Sequence, residues 1–122
     1  MMIVLDASAI LAFLRQEPGY EIVQQALEGG AICSSANWSE VMQKILQRGD
    51  DWIAMRQLLF SYELGLEPVT RADAEWAAAY WLTHSALSLG DRLCLALGHR
   101  MKATVMTADS ACGTGDSIQQ IR

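Results

Sequence analysis

Two stretches of this chain share one pattern, and that pattern limits the fold more than any other feature of the sequence. Ile3-Val4-Leu5 is a short run of branched apolar residues that stops at Asp6, and the small residues Ala7-Ser8-Ala9 follow. Near the other end, Thr104-Val105-Met106-Thr107 is a β-favouring run that stops at Ala108-Asp109. A short apolar run closed by an acid and small residues reads as a buried strand, and the acid can start a helix. Two buried strands that each deliver a carboxylate to their C-terminal ends imply an acidic pocket.

The residues between fill the pattern with alternating helices and strands. Ala7 to Arg15 carries Ile10, Leu11 and Leu14 at helical spacing until Glu17-Pro18-Gly19 breaks it. Tyr20 to Leu27 repeats the period with Ile22, Val23, Ala26 and Leu27, and Ala31-Ile32-Cys33 reads as a second strand. Ser34 to Leu46 is a helix whose stripe is Trp38, Val41, Met42, Ile45 and Leu46, stopped by Gly49, with Glu40, Lys44 and Arg48 opposite. Asp50-Asp51 open a fourth helix with Ile53, Leu58, Leu59 and Tyr62 as its apolar positions and Gly65 as its end. Leu66-Glu67-Pro68-Val69 is a weak strand that Pro68 confines to a sheet edge.

Thr70-Arg71-Ala72-Asp73 and Ser88-Leu89-Gly90-Asp91 are two capping boxes. The first opens an Ala-rich helix expected to bury Ala74, Ala77, Ala78 and Trp81, and the second a helix with Leu93, Cys94, Leu97 and Met101 inward. A glycine-rich turn, Gly113-Thr114-Gly115, leads to a last strand, Ile118 to Ile121. Helices alternating with strands mean a parallel sheet covered on both faces. The expected architecture is a three-layer α/β/α domain spanning residues 1–122, with a central, mostly parallel sheet of about five short strands.

At 122 residues and 52% hydrophobic, the chain can build one substantial core. Fourteen acids against nine Lys and Arg give a net charge of −5, so no overall basic face announces a nucleic-acid binder. The imbalance lies in residues 1–70, with nine acids and four basic residues; residues 71–122 hold five of each. Cys33, Cys94 and Cys112 have no CxxC pair or metal spacing and read as reduced core residues of a cytoplasmic protein. Three apolar residues after Met1-Met2, with no basic segment before them, do not make a signal peptide, and no apolar run approaches the ~20 residues of a membrane span.

In such a sheet the helices that follow strands begin at the strands' C-terminal edge, where ligands of open α/β sheets bind. Asp6, Glu40 and Asp109 each lie within a few residues of such a junction, and Asp91 sits in the first turn of a helix leading back to a strand. Helix capping alone would explain any one of them. Asp6 and Asp109 could be N-caps, Glu40 the third residue of a box opened by Asn37, and Asp91 the acid of the Ser88 box.

As a set they resemble the PIN-domain nucleases, and among them the VapC-type toxins of toxin–antitoxin modules. The resemblance covers essentially the whole chain. It is carried by Val4-Leu5-Asp6-Ala7-Ser8-Ala9, Asn37-Trp38-Ser39-Glu40-Val41, Leu87 to Leu97 and Met106-Thr107-Ala108-Asp109, in this order. It implies that Asp6, Glu40, Asp91 and Asp109 take acidic metal-binding and catalytic positions, that Ser8 and Thr107 take hydroxyl positions beside them, and that Asn37 takes a polar position before the glutamate. It further implies a Mg²⁺- or Mn²⁺-dependent endoribonuclease, a small protein antitoxin and a homodimer. Where many relatives carry a basic or aromatic residue after the last aspartate, Ser110-Ala111-Cys112-Gly113 is small and neutral.

Physical chemistry supports the metal: four converging carboxylates repel unless a cation neutralises them, and oxygen-only ligands suit a hard ion. His84 and His99 have no triad partners, and Trp38, Trp52 and Trp81 read as core. Trp76 and Tyr80, at i and i+4 off the alanine stripe, are candidate anchors of the dimer. Arg15, Lys44, Arg48 and Arg92 are candidate phosphate contacts. A phosphoaspartate receiver would need a second acid beside Asp6 and a lysine after a late strand, and neither is present. A PIN-like module that binds RNA or protein without cutting would be signalled by loss of an acid.

Overall fold

The computed structural model describes residues 2–115 and 117–122. Its five strands are β1 (Ile3–Leu5), β2 (Ile32–Ser34), β3 (Gly65–Glu67), β4 (Thr104–Thr107) and β5 (Ile118–Gln120). The six helices are α1 (Ala7–Leu14), α2 (Tyr20–Glu28), α3 (Ser35–Arg48), α4 (Trp52–Ser61), α5 (Arg71–Tyr80) and α6 (Leu89–Met101), with a 3₁₀ turn at Ser110–Cys112. The strands form one sheet in the order β3-β2-β1-β4-β5, and every pairing is parallel. This is the three-layer α/β/α architecture expected from the alternation.

Period-two alternation splits the core between the two faces of the sheet. Val4 lies in register with Ile32 and Val105, and these three pack with Leu87, Cys94, Leu95 and Leu97 on the α5–α6 side. Leu5, Cys33 and Met106 point the other way, into a cluster built with α1 to α4. The last strand is Ile118–Gln120, one residue shorter than expected, and Ile121 still donates its amide to the Thr107 carbonyl at 2.9 Å.

Several expected boundaries and faces are corrected. β2 starts one residue later than expected. β3 occupies Gly65–Glu67, so Gly65 opens the strand, while α4 stops at Tyr62 with Glu63 at φ 59°. The edge position inferred from Pro68 holds. In α3, Val41 and Ile45 are buried but Met42 and Leu46 face solvent; in α4, Ile53 and Leu58 are exposed and Leu59, with Trp52, Met55 and Tyr62, meets the core. Trp52 packs on Trp38 at 5.1 Å between ring centroids, so the aromatic area decides which way α4 rolls.

The same physics turns α5. Alanine methyls contribute little on burial, whereas two large rings contribute much. Accordingly Ala74 and Ala78 are exposed and Trp81 is half-exposed, while Ala77 is buried and Trp76 and Tyr80 pack against the second core cluster. Trp76 and Tyr80 stack on each other at 4.6 Å, with His99 beyond Trp76 and His84 beyond Tyr80. Both are partly buried by these contacts and keep an exposed part, so their role as dimer anchors stays a proposal. Asp73 is buried on the same face because Arg100 pairs with both of its oxygens, at 3.0 and 3.1 Å.

Candidate metal centre

The chain runs outward from β1 to β3, then crosses back to β4 on the other side of β1. This reversal opens a crevice at the C-terminal ends of β1 and β4, the place where open α/β sheets bind ligands. Asp6 leaves β1 directly into it. Its backbone amide continues the ladder to the Met106 carbonyl, and its side chain caps α1 by accepting from the Ala9 amide at 2.8 Å. Ser8 donates its hydroxyl to Asp6 Oδ1 at 2.7 Å, accepts the Ala108 amide at 2.9 Å, and lies 3.2 Å from the Thr107 hydroxyl. Thr107 in turn accepts the Asp109 amide at 2.9 Å, and Asp109 caps the 3₁₀ turn through the Ala111 amide. Asp6, Ser8, Thr107 and the Asp109 backbone are thus one hydrogen-bonded set.

The other wall comes from α3 and α6. Ser34, not Asn37, caps α3, so the expected Asn37–Glu40 capping box does not form. Asn37 instead lies 1% exposed inside the first turns, donating to Glu40 Oε1 at 2.7 Å and to the Gly90 carbonyl at 3.1 Å. Gly90 makes this approach possible: a Cβ there would sit 2.7 Å from Glu40 Cδ and 2.9 Å from Oε2. One residue on, Asp91 completes the Ser88 capping box. An oxygen of Asp91, an oxygen of Asp6 and the Cys112 sulfur lie within 4.8 Å of one another. Glu40 and Asp109 stand outside that group.

Capping and a metal role are therefore not exclusive, since Asp6, Asp91 and Asp109 all cap helical turns. Burial without a cationic partner sets Asp6 apart from a plain cap, since the other buried capping acid, Asp73, is paired with Arg100. Asp51 caps α4 through the Ala54 amide and remains exposed, whereas Asp6 is 3% exposed. A cap gains nothing from such burial, and a carboxylate pays heavily for it. Burial pushes the Asp6 pKa up from 3.8 to about 6; hydrogen bonds from Thr107, Ala9 and Ser8 oppose the rise, and the charge of Asp91 adds to it. Burial, and then the Asp91 charge, push the Cys112 thiol up to about 12. Both shifts have the sign a bound cation would reverse.

The donor set fits a divalent cation. Two close carboxylates face each other without a positive side chain between them in any ion pair found among the described residues. The buried Asn37 Oδ1 beside this wall also has no hydrogen-bond partner.

The candidate phosphate contacts fare less well. Arg92 spends its guanidinium on the carbonyls of Ala77, at 2.7 Å, and Leu87, so it braces α5 against α6. Arg15 lies at the far end of α1, about 12 Å of helix away from Asp6. Arg48 sits 3.9 Å from Asp50 at the end of α3, and Lys44 is exposed one turn beyond Glu40. By pattern Gly90 is an ordinary member of a capping box, and nothing local marks its contact with Glu40. Cys112 is core, as expected, in the second cluster, and its sulfur also lies beside the two acids, which no spacing in the sequence announces.

Comparison with known proteins bears on the fold and the family. Compared by sequence with curated proteins, the chain matches none. Its fold resembles that of a toxin–antitoxin complex from Klebsiella pneumoniae, at a TM-score of 0.79 and 18% identity over 98% of each chain. It also resembles VapC20 of Mycobacterium tuberculosis, a toxin that cleaves the sarcin-ricin loop, at 0.73 and 18% over 93% of this chain and 97% of that one. FitAcB from Neisseria gonorrhoeae gives 0.70 and 18% over 98% of each chain. The PIN-domain family model matches residues 3–112, which establishes that the chain belongs to the PIN-domain family.

Proposed function

We propose that the protein is a Mg²⁺- or Mn²⁺-dependent endoribonuclease and the toxin of a toxin–antitoxin pair. The observation that carries this reading is the meeting of Asp6 and Asp91, 85 positions apart in sequence, in a buried acidic crevice at the strand switch point. Asp6 and Asp91 would hold the ion, with Glu40 and Asp109 completing the acidic rim. When bound, a hard divalent ion would lower the pKa of a water and stabilise charge building on the phosphodiester.

The remaining work falls to the chain. Ser8 and Thr107 fix the Asp6 carboxylate through the hydroxyl pair between β1 and β4. Asn37 holds Glu40 against the start of α6, which keeps the two walls at a constant separation. Packing Asp6 at the N-terminus of α1 and Asp91 in the first turn of α6 sets both acids against positive helix ends, which offsets part of their repulsion. The acidic crevice repels phosphate until a cation is present, so substrate binding and ion binding are coupled.

Support for a protein partner comes from the toxin–antitoxin complexes among the structures of this fold. A homodimer in the cytoplasm completes the proposal, and no helix among the described residues is long and apolar enough to cross a membrane. The test is cleavage of structured RNA by purified protein with Mg²⁺, with chelator, and with Asp6→Asn. Cleavage that requires both the ion and Asp6 supports the reading; cleavage indifferent to either refutes it. Co-purification with the product of a neighbouring gene tests the antitoxin, and sedimentation the dimer.

A further inference from the structure

Cys112 stands inside the acidic crevice, on a turn built to bring it there. Asp109 caps the 3₁₀ turn, the Cys112 amide donates to the Asp109 carbonyl at 3.1 Å, and the chain leaves through Gly113 at φ 79°. This folds the third residue after Asp109 back over the strand ends. The sulfur thereby comes within 4.8 Å of an oxygen from each of Asp6 and Asp91, which are themselves that close. Cys33 and Cys94 are as deeply buried, but neither joins such a group among the described residues.

Two carboxylates and a sulfur are a different ligand set from carboxylates alone. Oxygen ligands suit Mg²⁺ and Mn²⁺, whereas thiolate sulfur favours Zn²⁺ and its neighbours, which also stand higher in general affinity. A tetrahedral zinc ion with ordinary bond lengths holds its oxygen and sulfur ligands roughly 3.4–3.6 Å apart. The 4.8 Å spacing here exceeds that by about 1.2–1.4 Å at most, which side-chain rotation can close. On the neighbouring wall a buried polar atom is also left unpaired. Asn37 Oδ1, on a residue 1% exposed, has no partner, while its Nδ2 is fixed to Glu40 and to the carbonyl just before Asp91.

We propose that Asp6, Asp91 and Cys112 form a site for zinc-class divalent ions, and that zinc held there excludes the hard ion and silences RNA cleavage. On binding, the Cys112 S–H bond is replaced by a sulfur–metal bond and its proton passes to solvent; no electron is transferred. The inference rests on the reading of this crevice as a metal site, and adds that its sulfur selects among metals.

The experiment titrates metal-free protein with Co²⁺ and with Cd²⁺ and follows thiolate-to-metal charge-transfer absorption. Wild type should develop the band at one equivalent, and Cys112→Ser should not. Zn²⁺ affinity, measured in competition with a chromophoric chelator, should fall at least about tenfold in Cys112→Ser. X-ray absorption of zinc-loaded wild type should show one sulfur among oxygen neighbours, a readout independent of whether the variant folds. No band in wild type, a band that survives Cys112→Ser, or an oxygen-only shell would overturn the inference. Mg²⁺-dependent RNA cleavage is measured on the same preparation. Cleavage without a sulfur band leaves the proposed function standing and removes this site; a sulfur band without cleavage does the reverse.

Discussion

Replacing Gly90 with alanine should separate activity from stability in this protein. The added Cβ would meet Glu40 Oε1 first and stand 2.7 Å from its Cδ and 2.9 Å from Oε2, closer than a methyl and a carboxylate can approach. Glu40 ends a flexible side chain, so the carboxylate must swing away and the 2.7 Å bond from Asn37 breaks. Losing a hydrogen bond to a charged group costs about 1.5–3 kcal/mol, and exchanging glycine for alanine within a helix returns up to about 1 kcal/mol. The net stability loss should be about 1–2 kcal/mol, a fall in Tm of roughly 4–8 °C. Activity should suffer far more, because a reactive group displaced by about 1 Å can lose on the order of 100-fold in rate. Gly98→Ala is the matched control: its Cβ would lie 2.6 Å from Val105 Cγ2 in the core, so it should cost stability while the folded fraction keeps its rate. The assay is initial rate of Mg²⁺-dependent RNA cleavage beside thermal melts. A Gly90→Ala protein that cuts at the wild-type rate would show that the position of Glu40 is irrelevant to the chemistry.

Asp6→Asn should abolish cleavage yet raise the melting temperature of the metal-free protein at pH 7. The folded-state pKa of Asp6 lies above its unfolded value, so ionisation penalises the fold as pH rises from about 4 to about 6; the full penalty is on the order of 3 kcal/mol. Metal-free wild type should accordingly lose stability across that window and regain it on adding Mg²⁺ at pH 7, with little gain below pH 5; melts with equal Mg²⁺ benefit at both pH values would contradict this. Asp73→Ala should cost about 3 kcal/mol in chemical denaturation with cleavage by the folded protein unchanged, because it breaks the Arg100 pair and the Thr70 box at once. Burial alone would raise the Asp73 pKa, but the bonds from Arg100 and Thr70 hold it below the usual range, so its contribution is present above pH 4 and is lost as pH falls further.

Much of this fold was legible because its strands are short apolar runs with sharp polar ends. Ile3-Val4-Leu5-Asp6 and Thr104 to Asp109 gave both the strands and the acids at their ends. The two capping boxes are local hydrogen-bond patterns, and both occur where the sequence shows them. Helix faces were harder. Met42, Leu46, Ile53 and Leu58 continue apolar stripes yet face solvent, because α3 and α4 settle their rotation through the Trp38–Trp52–Phe60 contacts, which join residues distant in sequence. The alanines of α5 misled in the same way, since only tertiary packing reveals that Trp76 and Tyr80 outweigh them. In the site, the identity of the acids could be read but not which would touch. Asp91 meets Asp6 because α6 starts at the crevice after a loop with no strand before it, and Cys112 arrives through a turn too short to carry a period.

The central claim is that these acids form a metal-dependent active site and do not merely cap helices, and Asp91 is where the two readings divide most cleanly. The measurement is the initial rate of Mg²⁺-dependent RNA cleavage by Asp91→Asn, with Ser88→Ala alongside. Asparagine keeps a polar side chain in the box, so stability should fall by at most ~1 kcal/mol while cleavage all but disappears. Ser88→Ala breaks the same box from the other end and should lower stability with cleavage largely kept. A folded Asp91→Asn protein that cuts RNA at the wild-type rate would contradict the account.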